Sequence, residues 1–242
     1  MNITIKMDGL QDTIKKLQDI SAHKVPKVAA MALTATAKEF KKTITDMMPQ
    51  VFDRPTPWIQ RGMYLTWATP NNLSISVGFK DAQKDVIEPH VYGGGRKLKR
   101  SETALQSFGR MSAGNYTVPG GSVRLNQYGN ISSGQYAKIL TAARALRGMS
   151  DTKFYGRRGG YKLRAGTTDL FIGRPGGKPL GVWERYGAKR QRVRPILIFI
   201  NKQPQYKKRL PFYETAQRIV QPIFRREFIR LADETIQFSK NK

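Results

Sequence analysis

The stretch GVWERYGAKRQRVRPILIFI, residues 181–200, constrains the fold more than any other part of the chain. Val182, Trp183 and Tyr186 open it as a short β-prone, aromatic run. Ile196, Leu197, Ile198, Phe199 and Ile200 close it as an uninterrupted apolar run of strand length. Between them lies Gly187-Ala188-Lys189-Arg190-Gln191-Arg192, a glycine-led basic connector. Two β-prone runs joined by a short glycine-containing connector predict a hairpin. An apolar run without alternation predicts a strand buried on both faces. The chain therefore places a basic loop at the edge of its core, and Lys189, Arg190, Arg192 and Arg194 become the first candidates for contact with DNA or a protein partner.

Helical signals surround this hairpin. Asn2 to Met7 alternates as an edge strand. Leu10, Ile14, Leu17 and Ile20 then follow helical spacing, with Asp8 as a cap. The strongest helix signal runs from about Val25 to Met48. Pro26 suits its first turn, where a missing N–H costs nothing. Val28, Ala32, Ala35, Phe40 and Ile44 share a broad apolar face, Lys38, Lys41 and Lys42 mark the wet side, and Pro49 is expected to stop it. Residues 51–57 read as an extended linker around Pro55 and Pro57. Met63–Thr69 and Leu73–Phe79 read as a hairpin across Pro70-Asn71-Asn72. A last helix spans about Phe212 to Phe238, with Ala216, Ile219, Ile223, Phe224, Phe228, Leu231 and Ile236 as its apolar stripe. Pro222 is expected to kink or split it.

Between about Gly93 and Gly166 the character changes. Gly93-Gly94-Gly95, Gly120-Gly121 and Gly159-Gly160 punctuate a segment whose only acids are Glu102 and Asp151. Apolar periodicity is poor apart from a short helix signal at Gln135 to Leu146. The segment reads as a long basic insertion with little core of its own, and Arg157 and Arg158 join the candidate contacts. Asp169–Ile172 is a short strand signal and residues 173–179 a turn. Pro204 to Pro211 is a second basic connector, with Lys207, Lys208 and Arg209. The expected organisation is an α+β core domain of residues 1–92 and 167–242, its small, mainly antiparallel sheet flanked by two long helices, with 93–166 as an extended arm.

Charge directs the functional reading. Forty-three Lys and Arg against 17 Asp and Glu give a net charge of +26. A field of that sign attracts nucleic acid, anionic surfaces or an acidic protein. It also repels other copies of the chain, so a homo-oligomer needs counter-charge. There is no cysteine, which excludes disulfides, thiolate metal sites and a cysteine nucleophile. The longest apolar run, Ile196–Ile200, is far short of the ~20 residues of a membrane span, and the N-terminus has no apolar signal core. The expected setting is the cytoplasm, or an assembly packaged from it.

No catalytic constellation emerges. His23 and His90 are the only histidines, and the Glu88/His90 pair is the one remotely catalytic combination. Gly173 to Lys178 fails the phosphate-loop test, because Gly177-Lys178 is followed by Pro179 and position 172 is isoleucine. The acids are too scattered for a two-metal site. No cofactor, metal site or enzyme activity is expected. Trp183, Tyr186, Phe154, Tyr155 and Tyr161 lie near basic residues and could stack on bases of a single strand, although a tryptophan in a strand belongs to a core. No helix-turn-helix, zinc-finger or RNA-recognition signature is present, so DNA contact would be to phosphate and non-specific.

The pattern Gly9-Leu10, Leu17, then Val25-Pro26-Lys27-Val28-Ala29-Ala30-Met31-Ala32-Leu33 resembles the minor tail protein Z family of tailed bacteriophages, proteins of tail completion and head–tail joining. Val118-Pro119-Gly120-Gly121, Leu125 to Gln135, Gly181-Val182-Trp183-Glu184-Arg185 and Arg194-Pro195-Ile196-Leu197 are similar to segments of phage and prophage structural proteins. The resemblance implies a virion protein at the head–tail junction or upper tail, forming a ring with copies of itself and binding portal, connector or tail proteins. The basic loop would then line a DNA channel through phosphate contacts, or dock on an acidic neighbour, and the long arm would lace subunits together. A free, non-specific phage DNA-binding protein is the alternative, and a nucleic-acid enzyme a distant third.

Overall fold

The computed structural model describes residues 1–6, 24–107, 109–142, 169–189 and 191–240. The expected first helix, with Asp8, Leu10, Ile14, Leu17 and Ile20, lies outside them. The fold is α+β, and every strand pairing described below is antiparallel. The chain forms two compact units. One comprises Met1–Gly94 and Tyr206–Lys242, the other Gly95–Gln205.

In the first unit, β1 (Asn2–Lys6), β2 (Met63–Leu65) and β3 (Ser74–Phe79) form a three-stranded sheet in the order β1-β3-β2. The register pairs Ile3 with Val77 and Leu65 with Val77 across the central strand. Alternation in β3 turns Ile75, Val77 and Phe79 to the buried side. Against them packs α1 (Lys24–Val51), whose Leu33, Phe40, Ile44 and Met48 are fully enclosed. Each such side chain contributes about 1.5–3 kcal/mol by leaving water. Pro49 does not end α1, which continues to Val51. A proline forfeits its own N–H bond and crowds the preceding turn, and here only two residues of helix follow it. The 51–57 linker gives way to a short helix, α2 (Pro57–Gln60), capped by Thr56 Oγ1, which accepts from the Ile59 N–H at 3.3 Å. A helix not anticipated from the sequence, α3 (Asp81–Tyr92), follows β3 with Pro89 inside it, and ends at Gly93, φ 79°.

The last helix, here α6 (Phe212–Lys240), runs continuously through Pro222, so the expected split is absent. Pro222 and Arg218 are both exposed, so the carbonyl that loses its helical donor faces water. Phe212 meets Phe40 at 5.3 Å between ring centroids and Phe79 at 5.8 Å. Further along, Leu231 is buried against Val28 and Ala32, so α6 runs antiparallel to α1, and the small Ala29–Ala32 surface lets the two approach.

The second unit corrects the expected domain division. The hairpin does not belong to the 1–92 core. It forms the centre of a separate four-stranded sheet in the order β4-β7-β6-β5, from β4 (Tyr116–Pro119), β5 (Leu170–Gly173), β6 (Gly181–Tyr186) and β7 (Arg192–Ile200). Much of the segment read as an arm with little core is that sheet's cover. Leu105 of α4 (Arg100–Ser107), Met111, Ile131, and Ile139 and Leu140 of α5 (Ser133–Ala142) are buried with Val182, Ile196, Leu197 and Phe199. The buried apolar run of β7 needs residues over it, and sparse single side chains of 100–140 supply them without a helical or strand period to announce it.

Candidate polyanion-facing surface

The β6–β7 hairpin is antiparallel, with Glu184 opposite Arg194, Arg185 opposite Val193, and Tyr186 opposite Arg192. Its turn passes through Gly187 at φ 92°, a conformation side-chain-bearing residues rarely adopt. At the other end, a Cβ on Gly181 would collide with the Leu197 carbonyl oxygen, so glycine there allows β6 to approach β7 closely. A register shift between Val182 and Trp183 marks a bulge in this pair. Ile196, Leu197 and Phe199 are buried while Ile198 and Ile200 are only half-buried.

Cations on this sheet are held by rings and by one carboxylate. Arg194 Nε donates to Glu184 Oε2 at 2.6 Å, and its guanidinium sits 5.3 Å from the Tyr186 ring centre. Arg185 lies 4.7 Å from the Phe171 ring and Lys178 5.5 Å from Trp183. Trp183 is buried, and its Nε1–H donates to the Pro179 carbonyl at 3.3 Å. It is a core residue, as a strand tryptophan should be. Lys189 and Arg192 differ from these. Both are exposed, and neither has an ion-pair partner among the described residues. The arrangement is a two-stranded finger, its stem locked by Glu184–Arg194, with charge at the tip that no described residue neutralises.

The other candidates do not all join it. Arg157, Arg158 and Arg190 lie outside the described residues. Lys207, Lys208 and Arg209 are exposed but belong to the first unit. There Lys208 pairs with Glu214, and the Arg209 and Leu210 N–H groups donate to the His90 carbonyl at 2.8 and 3.0 Å. That loop is a joint tying the end of α3 to the start of α6. His90 is wedged between Phe52 and Tyr206, at 4.9 and 5.0 Å between ring centres, and its buried Nδ1 has no hydrogen-bond partner among the described residues. Burial, then the nearby Arg209 charge, hold its pKa below the ordinary imidazole value. Packing between rings gives His90 a structural place, and none of its hydrogen bonds goes to Glu88.

One buried ion pair organises the second unit. Arg96 Nη1 and Nη2 donate to the two oxygens of Glu102, each at 2.6 Å. Glu102 also accepts from the Lys99 N–H at 2.7 Å, the Thr117 N–H at 2.7 Å and Thr117 Oγ1 at 2.8 Å. Its side chain is 0% exposed, that of Arg96 10%. Burial alone would raise the Glu102 pKa, but these donors outweigh it and bring the value down to about 2. The same charges act on neighbours: burial foremost lowers the Lys99 pKa and raises that of Tyr136. The carboxylate is fully satisfied and closed to solvent, so it staples α4 to β4.

Sequence reasoning passed over one basic surface entirely. The sequence places Trp67 in a strand and Lys38 on a solvated helix face, yet Lys38 Nζ lies 5.1 Å from the centre of the Trp67 ring, which is 63% exposed. The helical spacing of Lys27, Lys38 and Lys41 was the available signal. Compared with known protein families, curated proteins and solved structures, the chain matches none of them. Among the described residues, no helix is long and apolar enough to cross a membrane, and no three His, Asp or Glu side chains gather as metal ligands would.

Proposed function

We propose that this chain is a structural virion subunit of a tailed bacteriophage. In this reading it is a tail-completion or head–tail connector protein, forming a ring around the DNA path. The observation that carries it is the hairpin tip, where Lys189 and Arg192 stand exposed and, among the described residues, without an ion-pair partner, on a stem locked by Glu184–Arg194. A +26 chain with such a finger is suited to neutralisation by phosphates or an acidic neighbour. The resemblance of its N-terminal and hairpin segments to phage tail and structural proteins selects the virion from the other polyanionic settings. The partners are then further copies, portal or tail proteins, and the DNA between them. No catalytic step is assigned.

Negative-stain imaging of the purified protein, alone and with the portal or tail protein of the same phage, tests the reading. Closed rings or a stoichiometric complex are expected. A monomer that binds neither would refute it. Free, non-specific DNA binding is the second reading, favoured by the same unpaired cations. It predicts a duplex mobility shift that weakens steeply between low and physiological salt, and no shift at low salt rejects it.

A further inference from the structure

We propose that the first unit carries a separate site for single-stranded nucleic acid, in which Trp67 stacks a base and the lysines of α1 take the flanking phosphates. The proposal does not rest on the neck reading, whose finger lies in the other unit. Lys27, Met31, Thr34, Lys38 and Lys41 recur on one face of α1 at 3.6 residues per turn. From Lys27 to Lys41 that face is about 21 Å long at 1.5 Å per residue. Two adjoining concavities, of about 500 and 540 Å³, open along it and meet at Lys38 and Trp67.

The chemistry of the groove fits a strand of unpaired nucleotides. Its floor is apolar, from Ala30, Met31, Ala68 and Leu231, and its rim is cationic. Among the described residues, neither concavity is lined by a carboxylate. Lys27, Lys38, Lys41 and Lys80 make no ion pair among the described residues, whereas Arg230 on the same rim is already held by Glu227 and Glu234 at 2.9 and 2.7 Å. The four free lysines are therefore available to phosphates. Trp67 is 63% exposed, and once Lys38 moves from over its ring to a phosphate the ring is a platform that holds any base by its π-face. In a duplex the bases are stacked inside, so the ring would go unused there and only the lysines would engage. An acidic protein would satisfy the lysines but has no particular use for the flat ring.

The test is fluorescence anisotropy on the full-length protein with labelled oligo-dT and oligo-rU of about twelve nucleotides, against a duplex of equal length. The Trp67→Ala protein is expected to lose about ten- to hundredfold in single-strand affinity, the effect of removing one base–aromatic stack. Duplex affinity should stay within about twofold. Trp67→Phe should restore most of the loss, and Lys38→Gln or Lys41→Gln should each flatten the salt dependence by about 0.7 in log–log slope. Because Trp67 is exposed, these variants should fold, and unchanged thermal unfolding checks it. Loss in either the dT or the rU arm supports the proposal. No difference between wild type and Trp67→Ala in both arms overturns it. So does an equal loss for single strand and duplex, or for polyglutamate, which would assign the groove to an acidic protein.

Discussion

Protonating Glu102 should unfasten the second unit, and the size of the effect can be worked from its surroundings. In the fold its pKa is brought down to about 2, against 4.5 for an unperturbed glutamate. That difference is about 3 kcal/mol of stability at neutral pH, at ~1.4 kcal/mol per pKa unit. Because the folded value is the lower one, the contribution is fully present above about pH 4.5 and drains away as pH falls toward 2. Glu102→Gln keeps the volume but turns an amide toward donors that need acceptors: the Arg96 guanidinium, the Lys99 N–H and the Thr117 N–H and hydroxyl. Arg96 is then a buried charge without its partner, which costs about 3–5 kcal/mol. Urea titrations at pH 7, 4.5 and 3, followed by the emission of the buried Trp183 in a background with the exposed Trp58 and Trp67 replaced by phenylalanine, read this unit alone. The gap between parent and Glu102→Gln should be largest at pH 7 and shrink steadily below pH 4.5. A gap as wide at pH 3 as at pH 7 would refute the assignment of the stability to the ionised carboxylate.

Other expectations concern packing and titration. Phe40→Ala removes a ring enclosed by Phe212 and the first sheet, and should cost about 3–5 kcal/mol in chemical denaturation of the first unit. Gly181→Ala sets a methyl against the Leu197 carbonyl; it should destabilise the second unit and broaden the amide resonances of β6 and β7, while Gly176→Ala, with open space around it but φ 57°, should show only the smaller backbone penalty. Tyr213 donates or accepts at 2.7 Å with Tyr92, and burial followed by that hydrogen bond pushes its pKa up to about 12. Its folded value lies above the unfolded one, so the contribution is present below about pH 10 and is lost as pH rises toward 12. Ultraviolet titration should show Tyr213 ionising late, and Tyr92→Phe should lower its pKa part of the way, because the burial that is the larger cause remains.

The sequence made some elements plain and hid others for identifiable reasons. The α1 helix and the 181–200 hairpin were legible because each repeats its signal: apolar residues at 3.6 spacing in one, two β-prone runs about a basic turn in the other. Pro49 and Pro222 do not break their helices, since the lost N–H bond and the ring clash cost less near an end or where the freed carbonyl faces water than the packing of each helix supplies. The helix Asp81–Tyr92 was hidden by Pro89 and by charges that interrupt its apolar side. The cover of the second sheet was hidden more deeply. Leu105, Met111, Ile131 and Ile139 each contribute a single buried side chain from a polar, glycine-broken context, and only the tertiary structure gathers them. Glu102 looked like one of two stray acids in a basic arm; its role depends on Arg96 and Thr117 converging on it. Of the candidate contacts, the tip residues Lys189 and Arg192 stand together on one finger, but Lys207 to Arg209 form a joint elsewhere, because charge in a sequence does not reveal which basic residues the fold will neutralise.

Cryo-electron microscopy of the head–tail junction of intact virions tests the central claim most directly. The account predicts a ring of this chain coaxial with the DNA, with the tip at Lys189 and Arg192 against phosphates or an acidic neighbouring protein. A purified particle without this chain, or a ring whose hairpin tips point to solvent, would contradict it.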